Sequence, residues 1–276
     1  MSHQGIQNEG HLEQELAFET SKYDKQFLSN IVQKRMLIAQ IASEEGYNNL
    51  LLNNAEERKV FQSSLQNNHS DFFRNPFTFS VLENIIFPTI IHKKEKEQKK
   101  EIRIWSAACS AGQEAYSLAI ILEELLASKI DKHEINYRIF STDQNPLNIT
   151  LAQSGHYLLH DLNNVSLKRV RNWFDNNGMG YIVDASLKNN IEFSEFNLLN
   201  NNTSYPSASI FGDFDIVVCA NILFYYKPKY QKQILNKVSN AMGNNGLLIV
   251  GESEREILLN NNFKECYPQS AIFCRV

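Results

Sequence analysis

The residues in this chain best suited to chemistry sit where apolar stretches end. Glu114 opens a helical pattern directly after seven small residues, Ser106 to Gly112. Asp143 closes the stretch YRIFSTD, at the tip of what reads as the following strand. An acid at that tip can accept hydrogen bonds from both hydroxyls of a ribose. An acid in the first turn of a helix complements the helix dipole, and can equally take the ammonium group of a ligand. Asn221 lies in the run DIVVCANILFYY, followed by Phe224, Tyr225 and Tyr226. Those rings read either as core packing or as a wall over a reacting centre, with a tyrosine hydroxyl turned inward.

Strands and helices in alternation are needed to bring these groups together. Ile102–Trp105 reads as a buried strand, and Ala115, Leu118, Ala119, Leu122 and Leu126 give the helix over 113–127 one apolar face. Strand-like Tyr137–Thr142, a helical piece from Pro146, Ile191–Phe193, Asp215–Cys219, a helix over Lys229–Met242 and Leu247–Val250 follow, with closing strands expected within Phe263–Val276. Such alternation predicts a parallel, doubly wound α/β sheet with ligands at its carboxyl edge. The turn at 106–112 holds one glycine, Gly112, so neither G-x-G-x-x-G nor a P-loop is present and a dinucleotide is disfavoured. A small-residue turn flanked by two acids suits a ligand with a ribose at one end and an α-amino acid at the other. S-adenosylmethionine is such a ligand.

Before position 100 no strand-like alternation occurs. Residues 1 to about 20 are polar and acidic. Apolar spacing then predicts a helix over Tyr23–Glu45 stopped by Gly46, a second from near Asn54, and a third capped by Ser70-Asp71 and running to Pro88. This gives an all-helical N-terminal domain over 1–91, a linker in the mixed-charge run HKKEKEQKK, and an α/β domain over 92–276. The polar stretch from Gly155 to Asn190, with its GMG turn and strand-like Tyr181–Val183, interrupts the alternation and reads as a small β insertion, about 156–190.

Bulk properties narrow the class. The 276 residues carry a net charge of -4, which disfavours a nucleic-acid binder. The four cysteines, Cys109, Cys219, Cys266 and Cys274, lack C-x-x-C pairing, so neither a zinc motif nor a disulfide framework is expected and a reducing cytoplasm is. No apolar run is long enough to span a bilayer, and no membrane insertion is expected. His156, His160 and Asp161 lack a further ligand, so no metal is expected. No G-x-S-x-G occurs, and (D/N)-P-P-Y is absent.

Read together, SDFFRN (Ser70–Asn75), WSAACSAGQEAYS (Trp105–Ser117), STDQN (Ser141–Asn145), FNLL (Phe196–Leu199), FDIVVCANILFYY (Phe214–Tyr226) and GLLIVGESE (Gly246–Glu254) closely resemble the CheR family of chemotaxis methyltransferases. The segments occur in family order and cover about Tyr23 to the C-terminus. The resemblance implies an S-adenosylmethionine-dependent protein-glutamate O-methyltransferase with a Rossmann-like domain, a small β-subdomain inserted in it, and a helical domain before it. It implies cofactor contacts at Asn68, Ser70, Arg74, Glu114, Asp143, Asn197, Leu198 and Asn221, with Arg74 and Tyr225 near the methyl group and the substrate. The implied product is S-adenosylhomocysteine, the implied partner is the cytoplasmic domain of a chemotaxis receptor or another signalling protein, and a monomer is expected. The chain departs from the family at Gln113, Ala115 and Ala220, and the face around Lys34-Arg35 is less basic. These departures motivate an alternative: a catalytically weakened module that binds the cofactor or its product and signals.

Overall fold

The computed structural model describes residues 20–65, 70–128, 135–209 and 211–276. Contacts divide the chain into two compact units, one of Met1–Asn67 with Phe224–Gln231 and one of Asn68–Leu223 with Lys232–Val276.

Among the described residues up to Leu65 in the first unit, three helices form, each with a side-chain cap. Asp24 accepts from the amides of Gln26 and Phe27 to start α1 (Lys25–Ala39), which ends where Gln40 turns left-handed at φ 57°. Ser43 caps α2 (Glu44–Asn53), and Asn54 caps α3 (Ala55–Ser64). A single helix over Tyr23–Glu45 is therefore not formed, and Gly46 lies inside α2 rather than stopping a helix. The reason is local: Gln40 supplies the left-handed cap and Ser43 accepts from the Gly46 amide at 3.1 Å. Tyr47, Leu51, Phe61 and Leu65 form the buried side of this unit. At its edge Arg35 makes a two-point ion pair with Glu57 at 2.9 and 2.6 Å, and the Tyr47 hydroxyl donates to the same carboxylate at 2.7 Å. The segment 224–231 belongs here because Tyr226 stacks on Tyr23 with centroids 5.3 Å apart, and the Asp24 amide donates to the Tyr225 carbonyl at 2.8 Å.

The second unit opens with α4 (Pro76–Val81), a π-turn at Leu82–Ile86 and α5 (Phe87–Lys96). The expected cap at Ser70-Asp71 does not form. A left-handed Asn75 precedes the helix instead, with Pro76 at its first position, and Pro88 lies inside the first turn of α5. Next come β1 (Glu101–Ala107), α6 (Gln113–Ala127), β2 (Asn136–Asp143), α7 (Pro146–Ser154), β3 (His156–Tyr157), α8 (Leu167–Trp173), β4 (Phe174–Asn176), β5 (Tyr181–Val183), β6 (Ile191–Glu195) and β7 (Phe214–Val218). Helix α9 (Pro228–Ala241), β8 (Met242–Ile249), β9 (Phe263–Glu265) and β10 (Ile272–Arg275) complete the chain. Seven strands pair in the order β6-β2-β1-β7-β8-β10-β9, and β3-β5-β4 form a separate sheet. In the larger sheet β10 runs antiparallel to both β8 and β9, and the other pairings are parallel. The chain steps from β1 outward to β6, then returns to the other side of β1 with β7. That reversal opens a crevice at the carboxyl ends of β1 and β7, where such sheets place ligands.

The boundary expected at 91/92 falls instead at 67/68. Phe72, Phe87 and Ile91 are buried in the same core cluster as Ile104 and Leu118, so residues 70–96 pack with the sheet. The first part of the charged run expected as a linker, His92–Lys96, forms the end of α5, with an ion pair of 2.8 Å between Lys94 and Asp215.

Replacing Glu57 by Ala should lower stability by about 2 kcal/mol, because it leaves the Arg35 guanidinium and the Tyr47 hydroxyl without their acceptor. The Arg35 guanidinium holds the Glu57 carboxyl below its ordinary value, so this contribution is present at neutral pH and is lost as pH falls through that lowered pKa. Chemical denaturation of wild type and Glu57→Ala at pH 7 and pH 3.5 reads both effects: a gap between midpoints at pH 7 that narrows at pH 3.5.

Candidate active site

The turn between β1 and α6 is built from small residues because its backbone takes conformations that large side chains resist. Ala108, Ser110 and Gly112 all have positive φ, at 65°, 51° and 91°. A Cβ added at Gly112 would lie 2.9 Å from the Cβ of Ala152 on α7, so the start of α6 can approach α7 only with glycine there. The Cys109 amide donates to the Thr142 carbonyl at 2.8 Å, tying the turn to the end of β2. The Tyr157 hydroxyl donates to the Ala111 carbonyl at 2.6 Å.

Asp143 reaches across this turn from β2. Its Oδ2 accepts from the Ser110 amide at 2.9 Å, and its Oδ1 accepts from the Asn145 amide at 2.9 Å and from Asn148 Nδ2 at 3.1 Å. The carboxylate is buried, and three donors fix its orientation. A carboxylate offers about four acceptor positions, so one remains for a hydroxyl.

Glu114 stands one residue into α6, where Ser106 Oγ donates to it at 2.7 Å. Burial pushes its pKa up to about 7; the Ser106 hydroxyl and the positive charge of Arg74 oppose the rise, while the charge of Glu254 adds to it. A carboxyl poised near neutrality beside a crevice is a functional-site signature with a physical cause.

Arg74 leaves a tightly held turn. Phe72 is fully buried and meets Tyr157 and Phe174 of the small sheet edge-on, with centroids 4.8 and 5.3 Å apart. Phe73 takes φ 49° and donates its amide to Ser117 Oγ on α6 at 2.9 Å. The Arg169 guanidinium of α8 lies 4.7 Å over the Phe73 ring and pairs with Glu83 at 2.8 Å and Glu124 at 2.7 Å. The arginine expected to face the reacting centre is thus clamped from α6 and from the small sheet.

The remaining sequence-derived candidates divide. Asn221 follows β7 in the left-handed region at φ 61°, with its side chain against Gly251. Asn197 and Leu198 follow β6, where Leu198 is buried and the Asn197 side chain accepts from the Leu199 amide at 2.8 Å. Ser70 is half-buried at the head of the Phe72–Phe73 turn. Asn68 lies outside the described residues. Tyr225 belongs to the helical unit, where its ring meets Phe27 at 4.7 Å and Phe224 at 4.2 Å. Glu114, Asp143 and the 106–112 turn are joined through shared hydrogen bonds, and Arg74 acts on Glu114 through its charge.

Sequence reasoning gave no role to Glu254. This fully buried carboxylate accepts from the amides of Gly251 at 2.7 Å, Asn221 at 2.8 Å and Leu223 at 2.6 Å. Burial raises its pKa, and the peptide N–H groups of Gly251, Asn221, Leu223 and Ile222 oppose that rise. The available signal was an acid five residues beyond the last buried position of β8, in VGESE, a pattern that most often marks a solvated turn.

Comparison with known proteins agrees with this geometry. A family model described as the SAM-binding domain of CheR methyltransferase matches residues 68–272, which fall within the sheet-bearing unit. Sheet and match together define a Rossmann-like, S-adenosylmethionine-dependent methyltransferase. The chemotaxis protein methyltransferase Cher2 of Pseudomonas putida is 32% identical over 215 residues, covering 76% of this chain and 75% of the relative. Chemotaxis protein methyltransferase 1 of Pseudomonas aeruginosa is 32% identical with the same coverage, and the chemotaxis protein methyltransferase of Listeria innocua is 30% identical over 71% of this chain and 68% of its own length. The chain belongs to the CheR methyltransferase family.

The pKa of Glu114 has a consequence for stability. Its folded value lies above the unfolded one, so its contribution is fully present below about pH 4.5 and is lost as pH rises through about 7. Thermal unfolding of the ligand-free protein from pH 5 to 8 should show Glu114→Gln gaining on wild type as pH rises, by on the order of 1 kcal/mol. A constant difference between the two across that range would remove Glu114 as the titrating group.

Proposed function

We propose that this protein transfers methyl groups from S-adenosylmethionine to glutamate side chains of a chemotaxis receptor's cytoplasmic domain, or of a related signalling protein, forming glutamate methyl esters in the cytoplasm. The observation that carries the cofactor half of this reading is the pair of acids, Glu114 and Asp143, hydrogen-bonded to opposite sides of one small-residue turn. The three relatives described above, each named a chemotaxis protein methyltransferase, support the substrate half. They give no support to a non-catalytic binding module.

The residues fit the cofactor's chemistry. Asp143, with one acceptor position to spare, would hold a ribose hydroxyl, and Glu114 would ionise against the α-ammonium group. Asn197 and Leu198, at the end of the strand beside β2, would bound the base, with Asn221, Ser70 and Asn68 completing the contacts. We read the helices of the first unit as the family's N-terminal domain and the three-stranded sheet as its inserted β-subdomain. When bound, the cofactor supplies a methyl group already activated by a sulfonium.

The protein's own task is then positioning. A substrate glutamate is ionised at neutral pH and needs no strong base to become a nucleophile. Arg74, held by the Phe72–Phe73 turn, would orient that carboxylate by charge-assisted hydrogen bonds. A guanidinium that bound the carboxylate too tightly would stabilise the ground state, so its value lies in alignment rather than affinity. A crevice closed to water strengthens that interaction.

Incubation with methyl-labelled S-adenosylmethionine and a receptor cytoplasmic fragment should give protein-bound label that mild base releases as methanol, the signature of an ester. Arg74→Ala should cut the transfer rate at least tenfold, roughly the worth of a charge-assisted hydrogen bond, while changing S-adenosylhomocysteine affinity much less. Label stable to base would contradict ester formation, and equal losses of rate and affinity would assign Arg74 to the cofactor alone.

A further inference from the structure

Glu254 is a costly residue for a fold to keep. Its side chain is fully buried in the short turn after β8, while its neighbour Glu252 stands in solvent. The donors that meet it in the hydrogen bonds described above are backbone N–H groups, from Gly251, Asn221 and Leu223, with Ile222 adding to the field. A buried carboxylate is tolerated only where its lone pairs are met, and here peptide groups meet them.

Three of those donors are consecutive: Asn221, Ile222 and Leu223. They converge on one carboxylate because Asn221 adopts φ 61°, which reverses the chain directly after β7. Without an acceptor at that point the turn would leave buried N–H groups unpaired. The turn sits on the β7 side of the crevice, where β1 and β7 diverge. The Asn221 side chain is confined from the same direction, since a Cβ at Gly251 would come within 2.9 Å of its Cγ. The backbone of Asn221 is therefore set by the Glu254 carboxylate, and its side chain by the bare Gly251 that the same carboxylate hydrogen-bonds. The charge of Glu254 also adds to the rise in the Glu114 pKa.

We propose that Glu254 is a positioning residue: by gathering the amides of Gly251 and Asn221–Leu223 it aims the Asn221 side chain into the cofactor crevice. This inference rests on the reading of Asn221 as a cofactor contact. Glu254 itself touches neither cofactor nor substrate. Glutamine is a sharp probe of it, because Glu254→Gln keeps size and one acceptor oxygen but turns an NH2 group against the converging N–H donors.

The test is a double-mutant cycle read by calorimetric titration with S-adenosylhomocysteine, using Asn221→Ala, Glu254→Gln and the double variant, each checked for folding by circular dichroism and thermal unfolding. Asn221→Ala and Glu254→Gln should each weaken binding about tenfold, and the double variant should bind no more weakly than the worse single one, because coupled residues are not additive. A general loss of stability would lower the unfolding temperature without producing this coupling. Wild-type affinity in Asn221→Ala would overturn the reading of Asn221, and the proposal with it. Weakened binding in Asn221→Ala with wild-type binding in Glu254→Gln would overturn the role of Glu254 alone, as would losses that multiply to about a hundredfold. If Glu254→Gln does not fold, Glu254→Asp takes its place in the same cycle. It keeps the charge but withdraws it by one methylene, and the same coupling or its absence decides the matter.

Discussion

The hydrogen bond from the Ser110 amide to the Asp143 carboxylate is the constraint on which the rest of this site depends. It joins the turn after β1 to the tip of β2, and it works only because those strands run parallel in register, Ser106 beside Ser141 and Ala107 beside Thr142. The turn must present an N–H inward, which requires positive φ at Ala108 and Ser110 and excludes bulky side chains. Small residues at 106–112 thus answer a backbone demand first. The open crevice above them follows from it.

Three carboxylates meet near this edge, and each is stabilised differently. Asp143 is held by two amides and the Asn148 side chain, and keeps an acceptor position free. Glu254 is held by the peptide N–H groups of Gly251, Asn221 and Leu223, inside the protein. Glu114 receives a hydroxyl from Ser106 and feels the charge of Arg74, yet burial still pushes its pKa up to about 7. A cationic ligand supplies what Glu114 lacks.

Much of this was legible in the sequence because the signals were local. The helix over 113–127 was read at its actual limits, since Gly112 begins it and its apolar spacing is unbroken. Asp143 and Glu114 stand out in the sequence because each sits at the end of an element, at the tip of β2 and in the first turn of α6. The domain boundary was missed because Phe72, Phe87 and Ile91 look like any helical core, and only long-range packing shows which core they join. Gly46 was misread as a stop because the true cap, Gln40, is a residue type with no strong preference for that conformation. Glu254 was invisible for a related reason. Its partners lie some thirty residues away, in the loop after β7, and no spacing rule links an acid to distant amides.

The central claim is that this sheet edge binds the amino-acid end of S-adenosylmethionine or its product through a carboxyl that ionises on binding. Calorimetric titration of S-adenosylhomocysteine at pH 7, repeated in two buffers of different ionisation enthalpy, measures the protons exchanged on binding. With the Glu114 pKa raised to about 7, the account predicts a net fractional release of protons by the wild-type protein, absent in Glu114→Gln. Binding with no proton release in the wild type, or with the same release in both proteins, would contradict it.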